Sequence, residues 1–187
     1  MGMSIGSIKP SLVIIYNDEP YNVLDCNHVK LARGPAHAKV KLENLKTSQI
    51  IDVTLRDSDN VQEAPIEERK LEYLYHEEDA YHFLDLETYE GLVCSKSLIG
   101  NKADWLKDNL KVTGLFYNNE LMTFKLPATM DLKVIETEPG FKGDSVKSGT
   151  KPAKLETGVI VAVPLFVNTG DTVKVDTQSK QYLSRVQ

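Results

Sequence analysis

The chain has 187 residues, 41% of them hydrophobic, which is enough for one or two average domains with cores of their own. Its 22 Lys/Arg and 27 Asp/Glu give a formal net charge of −5, which as a sum argues against a nucleic-acid partner. The longest apolar run, Leu12-Val13-Ile14-Ile15-Tyr16, is strand-sized and far short of the roughly 18 residues of a membrane helix, so no membrane partner is expected.

Residues 1–64 read as a small all-β unit. Strands are suggested at 11–16, an apolar run, and at 20–25, 38–42 and 49–55, with polar and apolar residues alternating over 20–24 and 38–42 and Asn17-Asp18-Glu19 as the first turn. Four or five short strands in so few residues predict a compact barrel of the SH3 type. Between the second and third strands lies Lys30-Leu31-Ala32-Arg33-Gly34-Pro35-Ala36-His37-Ala38, a hairpin loop with Arg33 at its tip. Gly34 relieves the backbone at the turn, and Pro35 fixes its own φ and biases Gly34 toward extended geometry, so the tip is stiff. A guanidinium that cannot be deprotonated is badly placed there for packing and well placed to enter a charged cleft. The same residues also fit an ordinary exposed arginine in an ordinary turn.

The distribution of charge qualifies its sum. Residues 1–64, 65–128 and 129–187 come to −1, −5 and +1, so the acid is in the middle. Between residues 28 and 46, Lys30, Arg33, Lys39, Lys41 and Lys46 face only Glu43, a local excess of four positive charges. A basic tip on an acidic body suits a protein that meets folded RNA through its ends, and it suits many proteins with no RNA partner. Cys26-x-His28 has the start of a metal-site spacing but no second ligand pair, so no metal is expected. Cys26 and Cys94 lie far apart without a Cys-x-x-Cys, which fits a reducing compartment. No secretion signal opens the chain, and Gly6 stands where myristoylation requires Ser or Thr, so the expected location is the cytoplasm.

A polar break at Asp57-Ser58-Asp59-Asn60, with Pro65 beyond it, sets a boundary that leaves 1–64 as the first domain. In 65–127, strands 71–76 and 80–85 form a hairpin about Glu77-Glu78-Asp79, with Tyr73, Tyr75, Tyr81 and Phe83 spaced by two on their strands. His76 and His82 flank that turn, either as a metal clamp or as plain strand residues. Leu98, Ile99, Trp105, Leu106 and Leu110 predict one or two short helices capped by Asn101, and a second hairpin follows over 111–117 and 120–125 about Asn118-Asn119. Five strands interrupted by a short helix are what an OB barrel needs. Pro127 marks the second boundary, and 128–187 offers strands at 132–136, 159–163, 172–176 and 181–186, with 145–151 as loose chain. Gly140-Phe141-Lys142-Gly143 has the string of a KH loop but follows a strand, so that match is rejected.

Lys151-Pro152-Ala153, Gly158, Val161-Ala162-Val163-Pro164, Val167 and Gly170 fall at the spacing of the signature of the bacterial elongation factor P family. Asp176-Thr177, Tyr182-Leu183-Ser184-Arg185-Val186, Glu138-Pro139-Gly140, Gly143-Asp144, Leu71 to Tyr75 and the hairpin about Arg33 also resemble that family, in order and over essentially the whole chain. The resemblance implies an all-β chain of three small barrels, SH3-like or KOW-like and then two OB-folds, in an L with the outline of tRNA. It implies a monomeric factor, not an enzyme, that binds the 70S ribosome beside peptidyl-tRNA and relieves stalling at consecutive prolines, touching ribosomal RNA as it does so.

By the same resemblance the apex of the first hairpin reaches the acceptor end of the tRNA. Family members commonly carry a modified lysine there within Pro-Gly-Lys-Gly, whereas this chain has Ala32 and Arg33. An arginine-tipped branch bears a rhamnose on the guanidinium, added by a modifying enzyme, but its loop reads Gly-Arg-Asn where Gly34-Pro35 stands here, and Pro35 resembles loops that work by rigidity alone. Bare Arg33 still donates to phosphate or stacks on a base, with Lys30, Lys39 and Lys41 as phosphate contacts. Tyr182 and Arg185 match the terminal motif as candidate RNA contacts, the alternative for Tyr182 being a packed strand residue. A diverged paralogue that also bears arginine, and a generic OB-fold RNA binder without ribosomal role, are the competing readings. The latter needs aromatics beside basic residues, whereas here they concentrate in the acidic middle third.

Overall fold

The computed structural model describes residues 3–29, 37–56, 58–59, 61–139 and 149–186. They form three five-stranded sheets and little helix. By its internal packing the chain divides into two units, Met1–Arg69 with Gly114–Phe124, and Lys70–Thr113 with Lys125–Gln187.

The first sheet has the order β4-β3-β2-β1-β5, built from β1 (Val13–Tyr16), β2 (Glu19–Val29), β3 (His37–Asn44), β4 (Ile50–Arg56) and β5 (Gln62–Glu63). Strands β1 and β2 meet at a two-residue turn in which Asn17 and Asp18 both take positive φ, the geometry that joins twisted strands with least strain and that Asn and Asp tolerate. The alternation in β3 is strict: Ala38, Val40 and Leu42 are buried beside Ile8, Ile14, Val23 and Leu55, while Lys39 and Lys41 face solvent. Asn44 closes the β3–β4 turn. It is 3% exposed, its Oδ1 accepts the Lys46 and Thr47 N–H groups at 2.9 and 3.0 Å, and its amide donates to the Glu19 carboxylate.

The second sheet runs β10-β9-β6-β7-β8, with β6 (Glu67–Glu77), β7 (Ala80–Asp85), β8 (Gly91–Ser95), β9 (Lys111–Tyr117) and β10 (Glu120–Lys125). Both hairpins form where the sequence puts them, and Asn118 and Asn119 again carry the positive φ of a tight turn. Strand β8 is an addition to the elements expected from the sequence. Spacing by two predicts Tyr73 and Tyr75 on one face, but a bulge between them leaves Tyr73 buried and turns Tyr75 outward. Helix α1 (Lys96–Ile99) is a single turn that passes into a 3₁₀ run at Gly100–Trp105. Ser95 occupies its N-cap position, and Asn101 lies inside the 3₁₀ run, so Asn101 caps nothing.

The third sheet, β13-β12-β11-β14-β15, comprises β11 (Thr129–Thr137), β12 (Thr150–Leu155), β13 (Ile160–Pro164), β14 (Thr172–Asp176) and β15 (Gln181–Val186). Thr150 and Lys151 open a strand instead of ending loose chain. Pro152 hides that strand from a sequence reading, yet it sits beyond Ala153, where the register with β11 ends, and its carbonyl accepts the Thr137 hydroxyl at 2.9 Å. Gly158 and Gly170 have φ of +93° and +95°, values closed to side-chain-bearing residues, at the turns where their N–H groups reach Leu155 and Val134 carbonyls.

Asn44→Ala leaves two turn N–H groups and a carboxylate without their buried partner. The expected loss is about 1–3 kcal/mol, measured by urea unfolding followed by circular dichroism.

Candidate nucleic-acid interface

Lys30, Arg33, Gly34 and Pro35 lie outside the described residues, as does Gly140-Phe141-Lys142-Gly143. The two strands that flank residues 30–36 end at Val29 and His37, which are register partners. Across β3 the next strand contributes Arg56, opposite His37. One step on along the same solvent face, Lys39 lies between Asn27 and Thr54; two further residues on, Lys41 lies between Asp25 and Asp52. The face therefore grades from basic, at the end next to residues 30–36, to neutralised. The local excess counted along the sequence is smaller in space, since Lys41 has a carboxylate on either side and Lys46 pairs with Glu120 at 3.0 Å. Arg56 is the cation that sequence reasoning missed. It stands 23 residues from Arg33, and only the β3–β4 register brings it to this rung.

Tyr182 and Arg185 both lie on β15, in the unit that does not contain the first sheet. Tyr182 is half-buried. Arg185 is exposed but engaged: its Nη1 is 3.6 Å from Asp171 Oδ2, itself held by the Asn168 N–H, and its guanidinium lies 5.7 Å from the Phe166 ring.

The histidine and cysteine pairs read otherwise than as metal ligands. His76 stacks on Tyr81 and hydrogen-bonds the Tyr73 hydroxyl, whereas His82 stacks on Tyr75 one rung away, so the two imidazoles sit on opposite faces of the sheet. His28 Nε2 is 2.9 Å from the Ile8 carbonyl, an oxygen that only a protonated ring nitrogen can satisfy, and 3.4 Å from Cys26 Sγ. Among the described residues no group of three or more His, Cys, Asp or Glu is placed to hold a metal. Burial, and secondarily Asp25, pushes the Cys26 thiol up; burial alone pushes Cys94 up to about 11. In the last turn the Ser179 N–H and hydroxyl, then the Gln178 N–H, hold the Asp176 carboxyl below its ordinary range. Because a raised pKa withholds the thiolate, both cysteines should react slowly with a disulfide reagent at pH 8 and Cys94 should react only after denaturation, as a thiol-release assay with and without guanidinium will read.

Family models cover almost the whole chain: the elongation factor P KOW-like domain matches residues 4–61, the elongation factor P OB domain 66–124, and the elongation factor P C-terminal domain 130–185. The chain is 40% identical to elongation factor P of Caldicellulosiruptor saccharolyticus over 181 residues, which are 97% of this chain and 98% of that one. It is 43% identical to the factor of Nitratidesulfovibrio vulgaris over 182 residues, covering 97% and 98%. Among solved structures, a eukaryotic translation initiation factor 5A from Methanococcus jannaschii shares the fold, with a TM-score of 0.53 and 22% identity over 68% of this chain and 92% of that one.

Proposed function

The chain belongs to the elongation factor P family, and on that footing we propose that it binds the 70S ribosome beside peptidyl-tRNA and stimulates peptide bond formation where consecutive prolines stall it. The observation that carries this reading is the graded face of the first sheet. Its cations, Lys39 and Arg56, gather at the rungs nearest residues 30–36, where the sequence adds Lys30 and Arg33. Such a field draws the finger toward phosphate while the acidic remainder of the chain disfavours other approaches. The chemistry belongs to the ribosome. Proline is an awkward nucleophile, and ordering the peptidyl-tRNA end lowers the barrier by orientation, without a catalytic group from this chain. Arg33 contacts the acceptor end, stiffened by Gly34 and Pro35, and acts either bare or carrying a rhamnose placed by a modifying enzyme. Lys30, Lys39, Lys41, Tyr182 and Arg185 complete the contact with ribosomal RNA and tRNA. The protein works as a monomer in the cytoplasm; no described helix is long and apolar enough to cross a membrane.

Arg33→Ala should keep its circular dichroism spectrum and lose rescue of a polyproline reporter in reconstituted translation; full rescue would overturn the assignment. Intact-mass measurement of native protein separates a bare from a glycosylated Arg33. Lys39→Glu should weaken ribosome binding and lower its salt slope by roughly one, whereas Lys41→Glu should change both less, because Asp25 and Asp52 already offset that charge.

A further inference from the structure

Residues 70–113 and 125–187 pack as one unit, although the OB and C-terminal family models divide them between two domains, 66–124 and 130–185. Something therefore fastens the third sheet to that part of the second. The connection itself is short: only Leu126, Pro127 and Ala128 separate β10 from β11, and the Pro127 ring removes one backbone rotation. Its far end is fixed to the third sheet, because the Thr177 hydroxyl donates to the Pro127 carbonyl at 2.7 Å and the Thr177 N–H to the Ala128 carbonyl at 3.0 Å. The freedom that remains lies at the near end, at Leu126, and the linker alone does not remove it.

Lys107 spans that joint. Its Nζ donates to the Asp131 carbonyl at 2.9 Å and to Glu156 Oε1 at 3.2 Å, acceptors from two separate stretches of the third sheet. Both ends of the contact are anchored. Lys107 follows the buried Trp105, and its own carbonyl accepts the N–H of buried Leu110 at 3.0 Å. Asp131 lies within β11 in register with Lys174, whose ammonium is 3.9 Å from its carboxylate, while its backbone oxygen takes Lys107. Glu156 stands in the turn after β12, and its N–H donates to the Lys133 carbonyl at 2.8 Å. The Lys107 and Glu156 side chains are 40% and 37% exposed, so as a surface ion pair they contribute little to folding stability. A short linker nevertheless keeps such partners at high effective concentration, and a weak contact then suffices to hold a joint.

We propose that Lys107 is a positioning residue: its ammonium locks the third sheet to the second, so that Tyr182 and Arg185 are carried at a fixed place relative to β7 and β8. Its effect on translation rests on the ribosome reading above. A chain whose contacts are already arranged gives up less entropy on binding, and that shows in affinity, not in the chemistry that follows.

The joint is tested without ribosomes, by amide nitrogen relaxation of the isotope-labelled full chain. One tumbling time should fit β7 and β8 together with β12–β15, and Lys107→Met should split it in two while leaving the urea midpoint in place. A single tumbling time in Lys107→Met, or two already in the unaltered chain, would overturn the proposal. Should that variant not fold, Glu156→Gln is read in its place by the same criterion. In the polyproline assay, Lys107→Met should raise the concentration for half-maximal rescue by up to about fivefold, the most an exposed ion pair ordinarily supplies, and keep the plateau. A lowered plateau at unchanged half-saturation counts against positioning. Failure of the unaltered chain to rescue strikes the ribosome reading instead and leaves the relaxation result standing.

Discussion

The structure depends on one long antiparallel pairing. Strands β2 and β3 pair from Tyr21 opposite Asn44 to Val29 opposite His37, with one register shift between Val23 and Asp25, and Val23, Ala38, Val40 and Leu42 pin that ribbon to the first core. Burial on one face fixes the register, because a slip of one residue would put Lys39 and Lys41 into the core and Val40 and Leu42 into water. The ends of the connection over 30–36 are therefore set at the spacing of paired strands. Whatever that connection carries is presented from a ribbon whose position is decided by the core and not by the connection itself.

Charge has to be counted in the same frame. Along the sequence, the stretch from 28 to 46 has five cations and one carboxylate. The sheet rearranges that tally: register brings Asp25 and Asp52 to Lys41, and brings Arg56 to the rung of His37. The result is a gradient along β3, basic at the rungs next to residues 30–36 and neutralised at Lys41.

Much of this was legible in the sequence, for local reasons. The turns at Asn17-Asp18 and Asn118-Asn119 announce themselves because few residues accept positive φ, and strands such as β3 and β14 alternate cleanly. What escaped was set by tertiary context. Strand β12 is masked by Pro152, tolerable only because the ladder to β11 stops before it. The outward turn of Tyr75 follows from one extra residue in β6, which no period-two count can locate. Asn101 resembles a cap by composition, but the backbone had already entered its helical turn at Lys96.

The residues that identify the family and those that distinguish this chain do different physical work. Ala153, Val161, Val163 and Val167 of the signature are buried, Gly158 and Gly170 occupy turns open only to glycine, and Lys151 is 5% exposed with its ammonium on the Glu138 carbonyl. Burial, turn geometry and a hydrogen bond within residues 129–186 account for those positions. Arg33, Gly34 and Pro35 fall between the paired strand ends Val29 and His37, far along the sequence from the signature positions. Membership does not hang on those three positions, because the match to the family runs over nearly the whole chain.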